Sequence, residues 1–185
     1  YSWTMPARSR RTVTLLLLLF PGPRAAHAEG ASDLLGGSVK SILESLQLED
    51  LDGRKQPLSA YLGAGPVVLD FWAMWCKPCL AALPEIDQLY KELRGRGLRV
   101  VAINEDGPRS ASKVKPFVRG RGWEFDVVLD LNREAQRRLN ALALPTTLVL
   151  DAEGTVIHTA FGFRPGEIDE LRALIEPLLL PADSE

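Results

Sequence analysis

The stretch Val67–Cys79, VVLDFWAMWCKPC, holds both cysteines of the chain, Cys76 and Cys79, three positions apart. Val67 to Trp72 is almost continuously apolar, which suits a strand covered on both faces. The run stops at Trp75-Cys76-Lys77-Pro78-Cys79, and Pro78 stands where a strand hands over to a helix, a place its fixed φ favours. Cys76 then falls at or just before the helix N-terminus, where unpaired N–H groups and the helix dipole favour a thiolate over a thiol. Cys79 lies one turn further in. Residues so spaced sit roughly 5–6 Å apart, the Cα separation a disulfide needs, so the pair can open and close with little backbone movement.

The flanking sequence reads as scaffold for this pair. Upstream, Leu46 to Pro57 forms two short strands around Asp52-Gly53, a hairpin signal, and Ser59 is placed to cap one turn through Leu62. Downstream, Leu80, Leu83, Ile86, Leu89, Tyr90 and Leu93 share a helix face, with Pro84 as a kink and Gly95 and Gly97 as the stop. Leu98–Ile103 is a second buried strand. Ser112 caps a short helix with Val114, Phe117 and Val118, Pro116 falling near its first turn. Phe125–Leu129 is a third strand and Glu134–Leu142 a helix. Thr146–Leu150 and Thr155–Phe161 form an antiparallel hairpin around Asp151–Gly154. Pro165–Leu179 closes as a helix burying Ile168, Leu171, Leu174, Ile175 and Leu178. Helices alternating with mostly parallel strands, then a hairpin, predict an α/β fold: a central mixed sheet with helices on both faces.

The first 28 residues stand apart. Arg8, Arg10 and Arg11 precede the apolar run Leu15–Phe20, and Ala26-His27-Ala28 fits a small-x-small cleavage site, so 1–28 reads as a secretory signal peptide with Met5 as the translation start. The alternative is an uncleaved membrane tether; no cysteine follows the run, which argues against a lipid anchor. The expected organisation is a signal peptide at 1–28, a linker at 29–45 running into a short helix or turn, one domain at 46–181 and a tail at 182–185. Removing residues 1–28 from 185 leaves 157, a single-domain size, with 18 basic against 24 acidic residues. That acidic balance, without a basic run, argues against nucleic-acid binding. Export places the pair in an oxidising, periplasmic or otherwise extracytoplasmic compartment. A plain structural disulfide there would close a ring too small to add much stability. Cys76, Cys79 and His158 are too few ligands for a closed zinc site, so no metal is expected. The pair is read as redox-active, with no other cofactor.

Three neighbours carry two readings each, and Trp75 carries one. Asp70, an acid inside the central strand, is either a base that takes the proton of Cys79 through water or an acid hydrogen-bonded at a strand end; burial should raise its pKa. Lys77 either helps Cys76 ionise or is a solvated side chain. Trp75 is the better candidate for a surface that touches substrate, Phe71 and Trp72 being core. Pro145, just before a strand, is either a loop proline or the second residue of a cis bond after Leu144.

The combination of DFWAMWCKPC, Pro84, the DLDG hairpin and LPTTLVLD at Leu144–Asp151 resembles the thioredoxin superfamily, and within it the exported TlpA/ResA/CcmG-like thiol-disulfide oxidoreductases, from about Leu46 to Leu180. The resemblance implies a thioredoxin-like fold with an N-terminal β-hairpin and an extra helix-strand insertion at Asn104–Asp130. It implies that Pro145 is the cis-proline facing the cysteines, that Leu144 presents backbone to a substrate strand, and that Asp70 matches the buried acid of thioredoxin. ResA-like members place an acid three residues after the second cysteine, where this chain has Ala82. The implied mechanism has the Cys76 thiolate attack a substrate disulfide and Cys79, after losing a proton toward Asp70, resolve the mixed disulfide. Expected partners of this monomer are protein disulfides, such as those of apocytochrome c or copper-site proteins, and a membrane electron donor. A disulfide-introducing oxidase shares the chemistry and differs in potential, and a Cu(I) metallochaperone using the two thiols is the alternative of another class.

Overall fold

The computed structural model describes Tyr1 and residues 39–181. The signal peptide expected at 1–28 therefore lies, apart from Tyr1, outside the described residues, as do the first part of the linker and the tail at 182–185. No helix among the described residues is long and apolar enough to cross a membrane.

Seven strands form one sheet: β1 (Gln47–Asp50), β2 (Lys55–Pro57), β3 (Val67–Trp72), β4 (Arg99–Asn104), β5 (Asp126–Leu129), β6 (Thr146–Leu150) and β7 (Val156–Phe161). Their spatial order is β2-β1-β5-β4-β3-β6-β7. Only β3–β4 and β4–β5 pair in parallel, and the other neighbours are antiparallel, so the expectation of mostly parallel strands is corrected. The cause is the two hairpins, which add antiparallel partners at both sides of the β5-β4-β3 centre.

Among the described residues five α-helices cover the sheet: α1 (residues 39–45), α2 (Lys77–Leu93), α3 (Gly107–Arg121), α4 (Glu134–Arg138) and α5 (Glu167–Ile175). The period-2 alternation of β3 divides the core. Val67, Leu69 and Phe71 pack on one face with Leu43, Leu58, Leu139 and Leu148. Val68 and Trp72 pack on the other with Cys76, Cys79, Leu83, Val114 and Ile175. Asp70 lies between Val68 and Trp72 in that alternation, on the face α2 covers. Leu43 of α1 is only 1% exposed, so the packed body starts ahead of residue 46.

The structure corrects several local expectations. A 3₁₀ turn spans Leu58–Tyr61, so Ser59 lies inside it and caps nothing. α3 starts at Gly107, not Ser112, because Pro108 takes the early helical position that suits it, and Pro116 lies inside the helix. α4 ends at Arg138, and Asn140 turns left-handed at φ 55°, leaving Leu142 exposed. α5 spans Glu167–Ile175 and gives way to a 3₁₀ turn at Glu176–Leu178, where Pro177 supplies no N–H to continue the helix. Leu171 and Ile175 are buried as expected; Leu174 and Leu178 are exposed.

One glycine is required by packing. A Cβ on Gly65 would lie 2.6 Å from the carbonyl oxygen of Gly97, which is itself at φ 95° and closes the segment after α2. Both partners are backbone, so neither can rotate away. Gly65→Ala is expected to lower stability by about 1–3 kcal/mol, read as a shift in the urea midpoint; an unchanged midpoint would show that this crossing can open.

Candidate active site

The β3 strand delivers the chain to the end of the sheet, and the turn that follows is closed by the Cys76 N–H donating to the Ala73 carbonyl at 3.0 Å. Cys76 is the N-cap of α2, Pro78 occupies the first turn, and the Cys79 N–H points at Cys76 Sγ at 3.3 Å. The cysteines are joined, with Cα atoms 5.3 Å apart. Their burial is unequal: Cys76 is 4% exposed and Cys79 is 0%. Trp75, 63% exposed, together with Lys77 and Pro78, forms the surface around Cys76. A sulfur at a helix N-terminus that accepts a backbone N–H is held where negative charge is favoured.

Asp70 lies beneath this layer and is fully buried. Its Oδ1 accepts from Thr147 Oγ1 at 2.8 Å, while Oδ2 has no partner. Burial pushes the carboxyl up to about 7; the Thr147 hydrogen bond opposes the rise and the charge of Glu167 adds to it. The acid is thus poised to exchange a proton near neutrality, on the face of β3 that also carries the cysteine cluster.

The Leu144–Pro145 bond is cis. Leu144 is half-buried against the cluster that contains Cys76 and Cys79. Pro145, whose carbonyl accepts from Gly162 N–H at 2.8 Å, lines a cavity of about 410 Å³ with Ala82, Thr147 and Glu167. Ala82, where the resemblance leads to the expectation of an acid, lines this cavity and supplies no second carboxyl.

Sequence reading missed three groups. Thr147 is one, detectable as the β6 residue registered opposite Asp70. The others are Glu105 and Asp106, which follow β4 at the sheet end where β3 delivers the cysteines, since Asn104 pairs with Trp72 in parallel. Asp106 Oδ2 accepts from Met74 N–H at 2.7 Å and from Asn104 Nδ2 at 2.8 Å, tying the cysteine loop to β4. Glu105 is fully buried beside Asp130. Burial first, then the charge of neighbouring Asp130 and the hydrogen bond that protonated Glu105 donates to it, pushes it up to about 9, so it is protonated at neutral pH. Among the described residues no group of three or more His, Cys, Asp or Glu side chains is arranged to hold a metal ion.

A dithiol-disulfide pair at a helix N-terminus, its first cysteine ringed by exposed residues and its second fully buried, is arranged for thiol-disulfide exchange. Comparison with known proteins agrees. The AhpC/TSA family model matches residues 39–159. The thiol-disulfide oxidoreductase ResA of Geobacillus thermodenitrificans is 34% identical over 146 residues, 79% of this chain and 82% of that protein. Among solved structures, a thioredoxin-like protein from Porphyromonas gingivalis superposes with a TM-score of 0.65 at 30% identity, covering 74% of this chain and 91% of that one. The exposed lipoprotein thioredoxin Etrx1 of Streptococcus pneumoniae gives 0.61 at 28% identity, covering 72% and 98%. The chain therefore belongs to the AhpC/TSA family, with a thioredoxin-like fold, and is a ResA-like thiol-disulfide oxidoreductase.

Proposed function

We propose that this protein is an exported reductase of protein disulfides, directed outward by residues 1–28 as a signal peptide and working as a monomer. The observation that carries the reading is the position of the pair, with Cys76 as the N-cap of α2 beside exposed Trp75, Lys77 and Pro78, and Cys79 fully buried in the helix's first turn. In the reduced protein the Cys76 thiolate attacks a substrate disulfide, one substrate sulfur leaving as a thiolate. Cys79 gives its proton toward Asp70 and attacks Cys76 Sγ, which releases the second substrate thiol and restores the 76–79 disulfide. The substrate gains two electrons and the enzyme loses two, so a membrane electron donor must return them. Trp75, Leu144 and Pro145 form the docking surface, and Lys77 and Pro78 tune the pair. Similarity to ResA favours substrates such as apocytochrome c or copper-site proteins of the respiratory chain.

Cys79→Ser keeps the attacking sulfur and removes the resolving one. It is expected to accumulate mixed disulfides that survive non-reducing electrophoresis and disappear with dithiothreitol, and the captured partners identify the substrates. Absence of any Cys76-linked adduct would overturn the order of attack. Equilibration with glutathione fixes the direction: a potential near −270 mV, about that of thioredoxin, marks a reductase, and one near −120 mV, about that of DsbA, an oxidase.

A further inference from the structure

Among the described residues Asp70 has a single hydrogen-bond partner, and that partner also borders a cavity. The carboxyl is fully buried; Oδ2 is unpartnered and Oδ1 accepts from Thr147 Oγ1 at 2.8 Å. Its neighbour on β4 is Ala102, which offers no polar side chain. Thr147 stands opposite Asp70 in the β3–β6 register, and it lines the cavity of about 410 Å³ beside Pro145. Phe161, Arg164 and Glu170, also in that lining, are exposed, so the cavity reaches the surface and admits solvent.

The titratable and charged groups facing this space come from two sides of it. His158 belongs to β7, Arg164 to the loop before α5, and Glu167 and Glu170 to α5, whereas α2 contributes only Ala82 and Ile86. Arg164 Nη2 pairs with Glu170 at 2.8 Å, and its backbone N–H donates to Glu167 Oε2 at 3.0 Å. The negative charge of Glu167 is felt at Asp70, so acid and cavity are electrostatically in touch although the carboxyl itself has no exposed surface.

From this arrangement we infer that the Thr147 hydroxyl is the proton relay of Asp70, joining the buried carboxyl to solvent in the cavity. A hydroxyl both donates and accepts. When Asp70 is ionised, Thr147 donates to it. When Asp70 carries the proton the bond reverses: Asp70 donates to Thr147 Oγ1, whose own hydrogen turns to cavity water. One proton passed along the pair leaves Asp70, arrives on water and returns Thr147 unchanged. The inference rests on the reading of Asp70 as acceptor of the Cys79 proton, because Asp70 accepts only when ionised and a proton it already holds must leave first. Thr147 touches no reacting sulfur and acts through Asp70, so it is a positioning residue.

The test uses the reduced full chain and stoichiometric dithiobis(nitrobenzoate), across neutral pH in a stopped-flow spectrometer. Attack by Cys76 releases one nitrothiobenzoate and resolution by Cys79 the second, so the second release times resolution. In the unaltered protein protonated and ionised Asp70 interchange faster than resolution, and the second release is a single exponential at each pH, its rate inflecting near 7. In Thr147→Val protein the two forms are expected to stop interchanging. The release then splits, with a slow phase about 10²-fold slower whose amplitude shrinks as pH rises. Thr147→Ser should restore the single phase. Ala160, half-buried and opposite Thr147 on β7, gives a second approach: Ala160→Leu covers the cavity side of the hydroxyl, leaves its bond to Asp70 in place and should also split the release.

The valine protein decides the question, and Ala160→Leu decides it if the valine protein does not fold. A single phase there, with only an upward move of the inflection, means that Thr147 tunes the acidity of Asp70 and relays nothing; the relay then falls and the role of Asp70 stands. A split that Thr147→Ser does not repair is a packing effect and rejects the relay as well. If the unaltered protein shows no inflection, Asp70 is not the acceptor and both readings are lost.

Discussion

Cys76→Ser protein is expected to reduce insulin no faster than the dithiothreitol background, a loss of at least about 10³-fold, since a serine hydroxyl is un-ionised near neutrality and cannot replace a thiolate in exchange. The burial difference across the pair makes the loss one-sided. Cys79 survives in this variant but is fully buried in the first turn of α2, away from the exposed residues that flank Cys76. The fold should persist, because the missing disulfide closes only a four-residue ring, worth about 2 kcal/mol at most by chain entropy. Circular dichroism and a urea melt therefore separate loss of chemistry from loss of structure. Retained turnover in a folded Cys76→Ser protein would remove Cys76 from the mechanism and reverse the roles of the two sulfurs.

What was readable in the sequence follows from which signals are local. Val67–Trp72 announced β3 to the residue, because a fully buried strand has one composition and its bounds were set by Pro66 and the cysteine turn. Cys76 and Cys79 were readable for the same reason, spacing and proline both being local. The left-handed turn at Asn140, which ends α4 early, is not marked by any strong breaker, so periodicity ran past it. Ser112 looked like a cap because serine can cap, yet Gly107-Pro108 was the stronger start signal. The contribution of Thr147 to the Asp70 environment depends on the pairing of β6 with β3, a contact 77 positions apart in sequence. Glu105 was hidden differently: an acid after a strand is ordinarily solvated, and only the packing around β4 buries it against Asp130.

Asp70→Asn is expected to raise stability at pH 8 by about 2–4 kcal/mol and to flatten the stability profile between about pH 4 and 7. The sign follows from the folded carboxyl standing at about 7 against an ordinary 3.8. Below both values each state holds its proton and the group contributes nothing. As pH rises the unfolded chain releases its proton first, so stability falls through this window and levels off above the folded value. Asparagine has no proton to lose. Its Oδ1 keeps the acceptor position for Thr147 Oγ1, and its amide takes the place of the unpartnered Oδ2, so the shape of the site is retained. Glu105, which titrates at about 9, adds its own decline in both proteins, and the difference between their urea-derived profiles isolates Asp70. The same substitution should slow resolution of the mixed disulfide and erase its inflection near pH 7, because Cys79 then loses its internal proton acceptor. A variant that gains stability while keeping that inflection would make Asp70 a buried structural acid and leave solvent as the base; one that matches the unaltered protein in both profiles would show that Asp70 is not held near 7.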